Sequence, residues 1–419
     1  MSQVVYDAII VGARVAGSST AMLLAREGYR VLLADRASFP SDTLSTHQIQ
    51  LPGVAALKRW GLLEQVVATG LPAAERVRMD MDGIVVEGRF PTLDGVGAVY
   101  GPRRTLLDKL LLDAATEAGA DARTDWRIEE LLWEDGRVVG VRGQTKGSAA
   151  RNERARVVIG ADGRHSLVAK AVEAPHYDEQ PALTCGYYTY WADVPVQGGE
   201  IYRVGRRMLG AWPTNDGLTM IYVAWPIAEF DAFRADVEGS YMATIDLVPR
   251  LAERVRTGRR AERILGSGEM ANYYRKPYGP GWALVGDAGY IKDPITAFGI
   301  TDAFRDAELL AEALDAGFSG RAPLDAALGR YERARNDASK PYYDLTLDTA
   351  RMEPLRVEQV ELLRALQRNP AAVSQFFGVL TMAVRPADFF SPQNLFRLIG
   401  PRGMARIVWS KVARPALAS

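Results

Sequence analysis

The segment Asp7-Ala8-Ile9-Ile10-Val11-Gly12-Ala13-Arg14-Val15-Ala16-Gly17 holds the residue order most directly tied to chemistry in this 419-residue chain. It reads as a short buried strand, a glycine turn and the opening of a helix. The first N–H groups of a helix lack intrahelical partners, and its dipole is positive there, so a pyrophosphate binds at such an end. Val31-Leu32-Leu33-Ala34-Asp35 supplies a second strand ending in an acid. With Arg36 beside it, Asp35 is spaced to hold the ribose hydroxyl of an adenosine. Gly12, Val15, Ala16 and Gly17 are therefore candidate pyrophosphate-binding residues. The usual pattern has a glycine where Arg14 stands. An arginine there either turns its side chain away or lays the guanidinium along a phosphate oxygen. The plainer alternative is an ordinary glycine turn between a strand and a helix.

Other catalytic chemistries have little material. The histidines are His47, His165 and His176, and neither His-Glu-x-x-His nor Cys-x-x-Cys occurs, so no metal site is expected. No Gly-x-Ser-x-Gly elbow is present. Cys185 is the single cysteine, which excludes an intrachain disulfide and favours a reducing compartment. With 51 basic and 51 acidic residues the chain has no formal net charge, against nucleic acid as the main partner. Without a signal-peptide pattern or an apolar run of spanning length, the expectation is a cytoplasmic protein with no membrane span. Chemistry is expected to come from an organic cofactor, with the protein supplying position and electrostatics.

These residues need elements to position them. Length and a 48% apolar composition imply more than one layer. Helical spacing is read over Pro52–Trp60 and Thr105–Ala118, a hairpin from Trp126 to Arg142, and a buried strand at Arg156–Ala161. From Thr184 to Pro226 the chain alternates and is rich in Tyr and Trp, with a hairpin turn at Pro213-Thr214-Asn215-Asp216-Gly217. Alternation places Tyr187 and Trp191 on one face and Tyr188 and Tyr190 on the other, so one set can line a pocket. Helical patterning returns near Ala232–Val255, and Trp282–Asp287 reads as a strand resembling those of the first domain.

Two further motifs narrow the cofactor: Gly160-Ala161-Asp162-Gly163-Arg164-His165-Ser166, and Leu284-Val285-Gly286-Asp287-Ala288-Gly289 with Asp293-Pro294-Ile295-Thr296-Ala297-Phe298-Gly299-Ile300. Together with the opening turn, they resemble the fingerprints of the class A flavoprotein monooxygenases, the aromatic-hydroxylase-like FAD enzymes. The wider superfamily includes flavin-dependent halogenases and geranylgeranyl reductases. The resemblance spans roughly residues 5 to 320. It implies FAD, with Asp287 on the ribityl chain, Asp162 in a loop associated with FAD and the nicotinamide cofactor, and Arg104 opening a helix beside the FAD. Ala169-Lys170 stands where the family usually carries an arginine.

Thr301–Leu310 has helical spacing with Asp302 in its first turn. Pro294, Gly299 and Ile300 would shape its N-terminus against the flavin pyrimidine ring, where N–H groups stabilise negative charge. The resemblance brings the loop holding Thr46 and His47 close to the flavin. His47 is thus a candidate flavin contact or catalytic residue, against the simpler reading that it caps the following turn.

The expected fold is α/β: a Rossmann-like FAD-binding domain with an inserted antiparallel-sheet substrate domain and a helical C-terminal region. FAD-binding parts are placed at 1–80, 101–174 and 271–325. Substrate-sheet parts fall at 81–100 and 175–270, and the helical region at 326–419. The expected activity is NAD(P)H- and O2-dependent hydroxylation of an aromatic or polyketide-like small molecule through a flavin C4a-hydroperoxide, with NAD(P)H as a transient co-substrate. Alternatives are a reductase of a prenyl or other alkene, a halogenase, and a non-catalytic flavin-binding protein. Ala224-Trp225-Pro226-Ile227 partly echoes a halogenase motif, and Gly210-Ala211-Trp212-Pro213 loosely fits a reductase. The C-terminal helices are open to packing on the substrate domain, covering the pocket or forming an oligomer contact.

Overall fold

The computed structural model describes residues 5–268 and 270–413, with side chains through Trp409. Strand β1 (Val5–Val11) leads through a turn into helix α1 (Val15–Arg26) and then strand β2 (Val31–Ala34), parallel to β1. Both strands are nearly all apolar because both faces of a parallel sheet are covered. Helix α2 (Arg104–Glu117) packs beside α1 and buries Leu107, Leu111, Leu112 and Ala115. Strand β3 (Arg151–Gly160) pairs parallel to the other edge of β1. The hairpin Trp126–Glu134 and Arg137–Thr145 joins β3 and covers the sheet face opposite α1 with Trp126, Ile128, Leu131 and Val141.

The second sheet contains strand β4 (Thr184–Ala192) and, directly paired to it, strand β5 (Thr219–Pro226). Beyond β5 lie Arg207–Pro213, Gly199–Val204, Arg76–Met81 and Ile84–Arg89 in that order. Two departures from the sequence reading occur here. The sheet takes in Arg76–Met81, so the expected division at 80/81 falls inside a strand rather than between domains. The sheet is also not wholly antiparallel, because Gly199–Val204 runs parallel to Arg76–Met81. A parallel pair needs a long crossover, and the intervening FAD-type segment supplies it.

One face of this sheet packs on the helices between Phe230 and Thr257 through Cys185, Tyr187, Trp191, Ile221 and Val223. The opposite face carries Tyr188, Tyr190, Met220 and Tyr222. The alternation read from the sequence is the one observed.

Strand β6 (Trp282–Leu284) returns to the first sheet, parallel to β3. Helices α3 (Gly299–Phe318) and α4 (Leu324–Ala350) follow, and after three shorter helices α5 (Pro392–Ala413) ends the described chain. Helix α4 is fastened by Arg335, which is fully buried. Its guanidinium donates to the carbonyls of Gly289 and Arg275 and to the Tyr177 hydroxyl, at 3.2, 3.2 and 2.7 Å. One side chain thus ties the C-terminal half to the turn after β6. Substitution Arg335→Ala leaves a cavity and unpaired buried acceptors. It is expected to lower stability by about 3 kcal/mol or more, measured by urea unfolding.

Candidate cofactor and substrate site

Gly12 ends β1 with φ +103°, a conformation that favours glycine. A Cβ at Gly17 would lie 1.8 Å from the Gly12 carbonyl oxygen, so α1 approaches the turn more closely than any side chain permits. That approach sets the start of α1, Val15 and Ala16, beside open space. The turn at Gly286 comes up against the same helix end, where its own Cβ would lie 2.7 Å from that of Ala16.

These segments open onto one cavity of about 730 Å³. It is lined by Gly12, Arg14, Val15, Ala16, Asp35, Arg36, Thr46, Arg104, Asp162, Gly286, Asp287, Pro294, Gly299 and Ile300. Sequence reasoning had named all of these. Gly17 and His47 stand behind the wall. The β4–β5 face contributes Gly186, Tyr188 and Tyr222, joining the second sheet to the same space.

The structure decides between the two postures of Arg14. Its guanidinium donates to the Asp108 carboxylate at 2.7 Å, to the carbonyls of Ser41 and Asp42, and to Ser41 Oγ. Asp108 is fully buried and also receives both Nε and Nη2 of Arg104 at 2.9 Å. Arg14 therefore turns to the 41–42 loop, and Arg104 braces the carboxylate it uses.

Asp35 accepts from the Ala13 and Ala37 amides at 2.7 and 2.8 Å, which fixes its carboxylate at the cavity edge. Asp162 spends its oxygens locally, accepting from Ser166 Oγ at 2.5 Å and the Leu167 amide at 2.6 Å. It shapes the loop rather than offering a free carboxylate. Asp287 is open to the cavity. Its carboxyl is pushed up by the loss of solvent around it, with Lys292 and Arg104 opposing.

His47 needs the largest revision. It is buried, with φ +61°, and its Nε2 shares a short hydrogen bond with the Tyr190 hydroxyl. Burial, with the charges of Arg104 and Arg103, lowers its pKa to about 3. It is a neutral residue in the wall behind the cavity. Residues 42–46 of the preceding loop line the cavity instead.

Sequence reasoning missed Lys292. It lies in the cavity wall, pairs with Asp302 in the first turn of α3 and reaches the Tyr290 hydroxyl at 3.3 Å. Burial alone would raise Asp302, but Lys292 and Arg305 hold it below the usual carboxylate range. A lysine within the otherwise apolar Tyr290-Ile291 stretch was the available signal.

A sequence profile described as FAD binding domain matches residues 5–346. The chain belongs to the FAD binding domain family. The glycine cradle, the cavity's extent and the residues around it fit that cofactor, and the protein is an FAD-dependent oxidoreductase of the superfamily that includes monooxygenases. It is 28% identical over 385 residues to kynurenine 3-monooxygenase of Salinispora arenicola, covering 83% of this chain and 80% of that protein. It is 25% identical over 362 residues to digeranylgeranylglycerophospholipid reductase 1 of Methanopyrus kandleri, covering 83% and 91%. Its fold is similar to that of the myxobacterial chondrochloren halogenase, with a TM-score of 0.76 at 21% identity over 94% and 96% of the two chains.

Two outcomes are expected of the flavoprotein. Substitution Arg14→Met removes the ties to the 41–42 loop while Arg104 still holds Asp108. Bound FAD should dissociate several-fold faster, read from the fluorescence of released flavin. For His47, both folded and unfolded states are neutral above about pH 6.5, and titration contributes nothing. Below that, the unfolded chain takes up a proton that the native state refuses down to about pH 3. Stability should therefore fall with acidification by up to about 1.4 kcal/mol per pH unit in that window. His47→Gln should flatten this dependence in urea titrations.

Proposed function

We propose that this flavoprotein is a monooxygenase that draws electrons from NADH or NADPH and uses O2 to hydroxylate an aromatic or polyketide-like small molecule. One observation carries the reading: a single cavity runs from the glycine turn at Gly12 to the aromatic face of β4 and β5. Substrate and cofactor would thus share one space. Similarity to a relative named as a monooxygenase supports the same class.

FAD, when bound, supplies electron transfer and the activation of O2. The chain's own residues divide the remaining work. Val15 and Ala16 would receive the pyrophosphate at the start of α1, Asp35 and Arg36 the adenosine end, and Asp287 the ribityl hydroxyls. Pro294, Gly299 and Ile300 set the N-terminus of α3 at the cavity's other end. The N–H groups of this helix end suit a ring that gains negative charge on reduction. His47, neutral and hydrogen-bonded to Tyr190, holds the loop and the strand in register. Its part is positioning.

The test uses purified FAD-loaded protein with NADH or NADPH, labelled O2 and a panel of phenols. Expected are cofactor oxidation accelerated by a phenol and one labelled oxygen in the product. Reduction of an alkene by the anaerobically reduced protein, with no label incorporated in air, would count against hydroxylation.

A further inference from the structure

Helix α5 turns at Gly400 (φ +72°), so its second half, from Pro401 onward, has its own direction. This half is apolar on two sides. Gly403 and Ile407 are buried inward, and Arg406 donates to the buried carboxylate of Glu361 at 2.9 Å, which seats the helix on the body. Ala405, Val408 and Trp409 face outward at helical spacing and are exposed, Trp409 by 73% and Val408 by 58%. Phe396, in the first half, is 55% exposed. Trp409 and Val408 are the two most exposed large hydrophobics among the described residues, and Phe396 follows them from the far side of the Gly400 turn. A single exposed apolar residue needs no explanation, whereas a cluster on one element marks a contact surface.

Charge indicates what the surface meets. The chain as a whole carries 51 basic and 51 acidic residues. From Phe389 to Ser419 there are five basic residues, Arg397, Arg402, Arg406, Lys411 and Arg414, and no acidic one. Arg397 and Arg402 are exposed, and neither is paired with a carboxylate among the described residues. Exposed tryptophan flanked by arginine on a surface helix is the composition of an interfacial helix. The indole settles at the headgroup level, and arginine gains from anionic phosphates. No described helix is long and apolar enough to cross a bilayer, so the contact is with the surface alone.

We infer that the second half of α5 docks this enzyme peripherally on an anionic lipid surface, with Trp409 and Val408 inserted at the headgroup boundary and Arg402 on the phosphates. The docking is independent of the reaction assigned to the cavity.

Co-sedimentation of the full FAD-loaded chain with vesicles tests this. Binding is expected to mixed phosphatidylglycerol–phosphatidylcholine vesicles, weak binding to phosphatidylcholine alone, and release by high salt. Trp409→Ala should weaken binding about tenfold, and Arg397→Glu with Arg402→Glu should abolish the preference for anionic lipid. Both sets of side chains are exposed, so flavin content and the thermal unfolding midpoint should match the parent protein, which separates lost docking from lost folding. Indole emission should shift to the blue on vesicle addition and stay unchanged in Trp409→Ala. Equal binding to both vesicle types, or none, overturns the inference. So does a concentration-dependent dimer that Trp409→Ala dissociates, since the face would then be covered by a second copy.

Discussion

Two backbone approaches, at Gly17 and at Gly286, are the constraint on which the rest of the site depends. At 1.8 Å from the Gly12 carbonyl oxygen, the Gly17 Cβ position leaves no room for even a methyl group. Helix α1 can therefore start directly above the end of β1, with its N-terminus facing the gap between β1 and β3. The turn after β6 then closes on Ala16, which places Asp287 on the far wall of the same gap. Strands β1, β3 and β6 are adjacent in the sheet although far apart in sequence, and their C-terminal ends converge by parallel pairing. Ligands bind at such ends in open α/β sheets for this reason.

Joining the aromatic sheet to this gap requires a second set of contacts, and a buried carboxylate is among them. Asp293 accepts from Thr184 Oγ1 at 2.7 and 2.8 Å and from the Thr184 amide at 3.1 Å, at the very start of β4. Its own amide donates to Asn272 Oδ1 at 2.6 Å. Burial pushes the Asp293 carboxyl up, while the bonds from Thr184 and Ile295 oppose that shift. The neighbouring Lys292 is committed to Asp302 on α3. Two consecutive residues thus hold the second sheet and the N-terminus of α3 in fixed relation.

Elements governed by local pattern were legible in the sequence. The glycine turn, the helix read over Thr105–Ala118, the Asp216-Gly217 turn and the alternation along β4 follow from periodicity and turn chemistry, and the structure places them close to where they were read. Properties set by distant partners were not legible. Nothing near Arg14 in the chain announces Asp108, 94 residues away, and nothing near His47 announces Tyr190 or the burial that, with two arginines, keeps it neutral. The parallel pairing of Gly199–Val204 with Arg76–Met81 is likewise a consequence of chain routing that alternation cannot encode.

The same distinction bears on the choice among reactions. Trp225, from the partial halogenase echo, lies on the side of β5 away from the cavity. Its Nε1 donates to Thr244 Oγ1 at 2.7 Å, its ring meets Phe233 edge-on, and Arg207 lies 3.8 Å above it. Trp212, from the loose reductase echo, covers Gly199 within the second sheet and does not line the cavity. Both tryptophans are fully explained by packing, so neither sequence echo carries weight for its reaction. The β4–β5 inner face instead brings Gly186, Tyr188 and Tyr222 to the cavity, together with Lys292 and the start of α3. Burial pushes the Tyr188 hydroxyl up to about 12, so it stays protonated at neutral pH. The aromatic rings and protonated phenol of this face are what support the planar organic substrate proposed above.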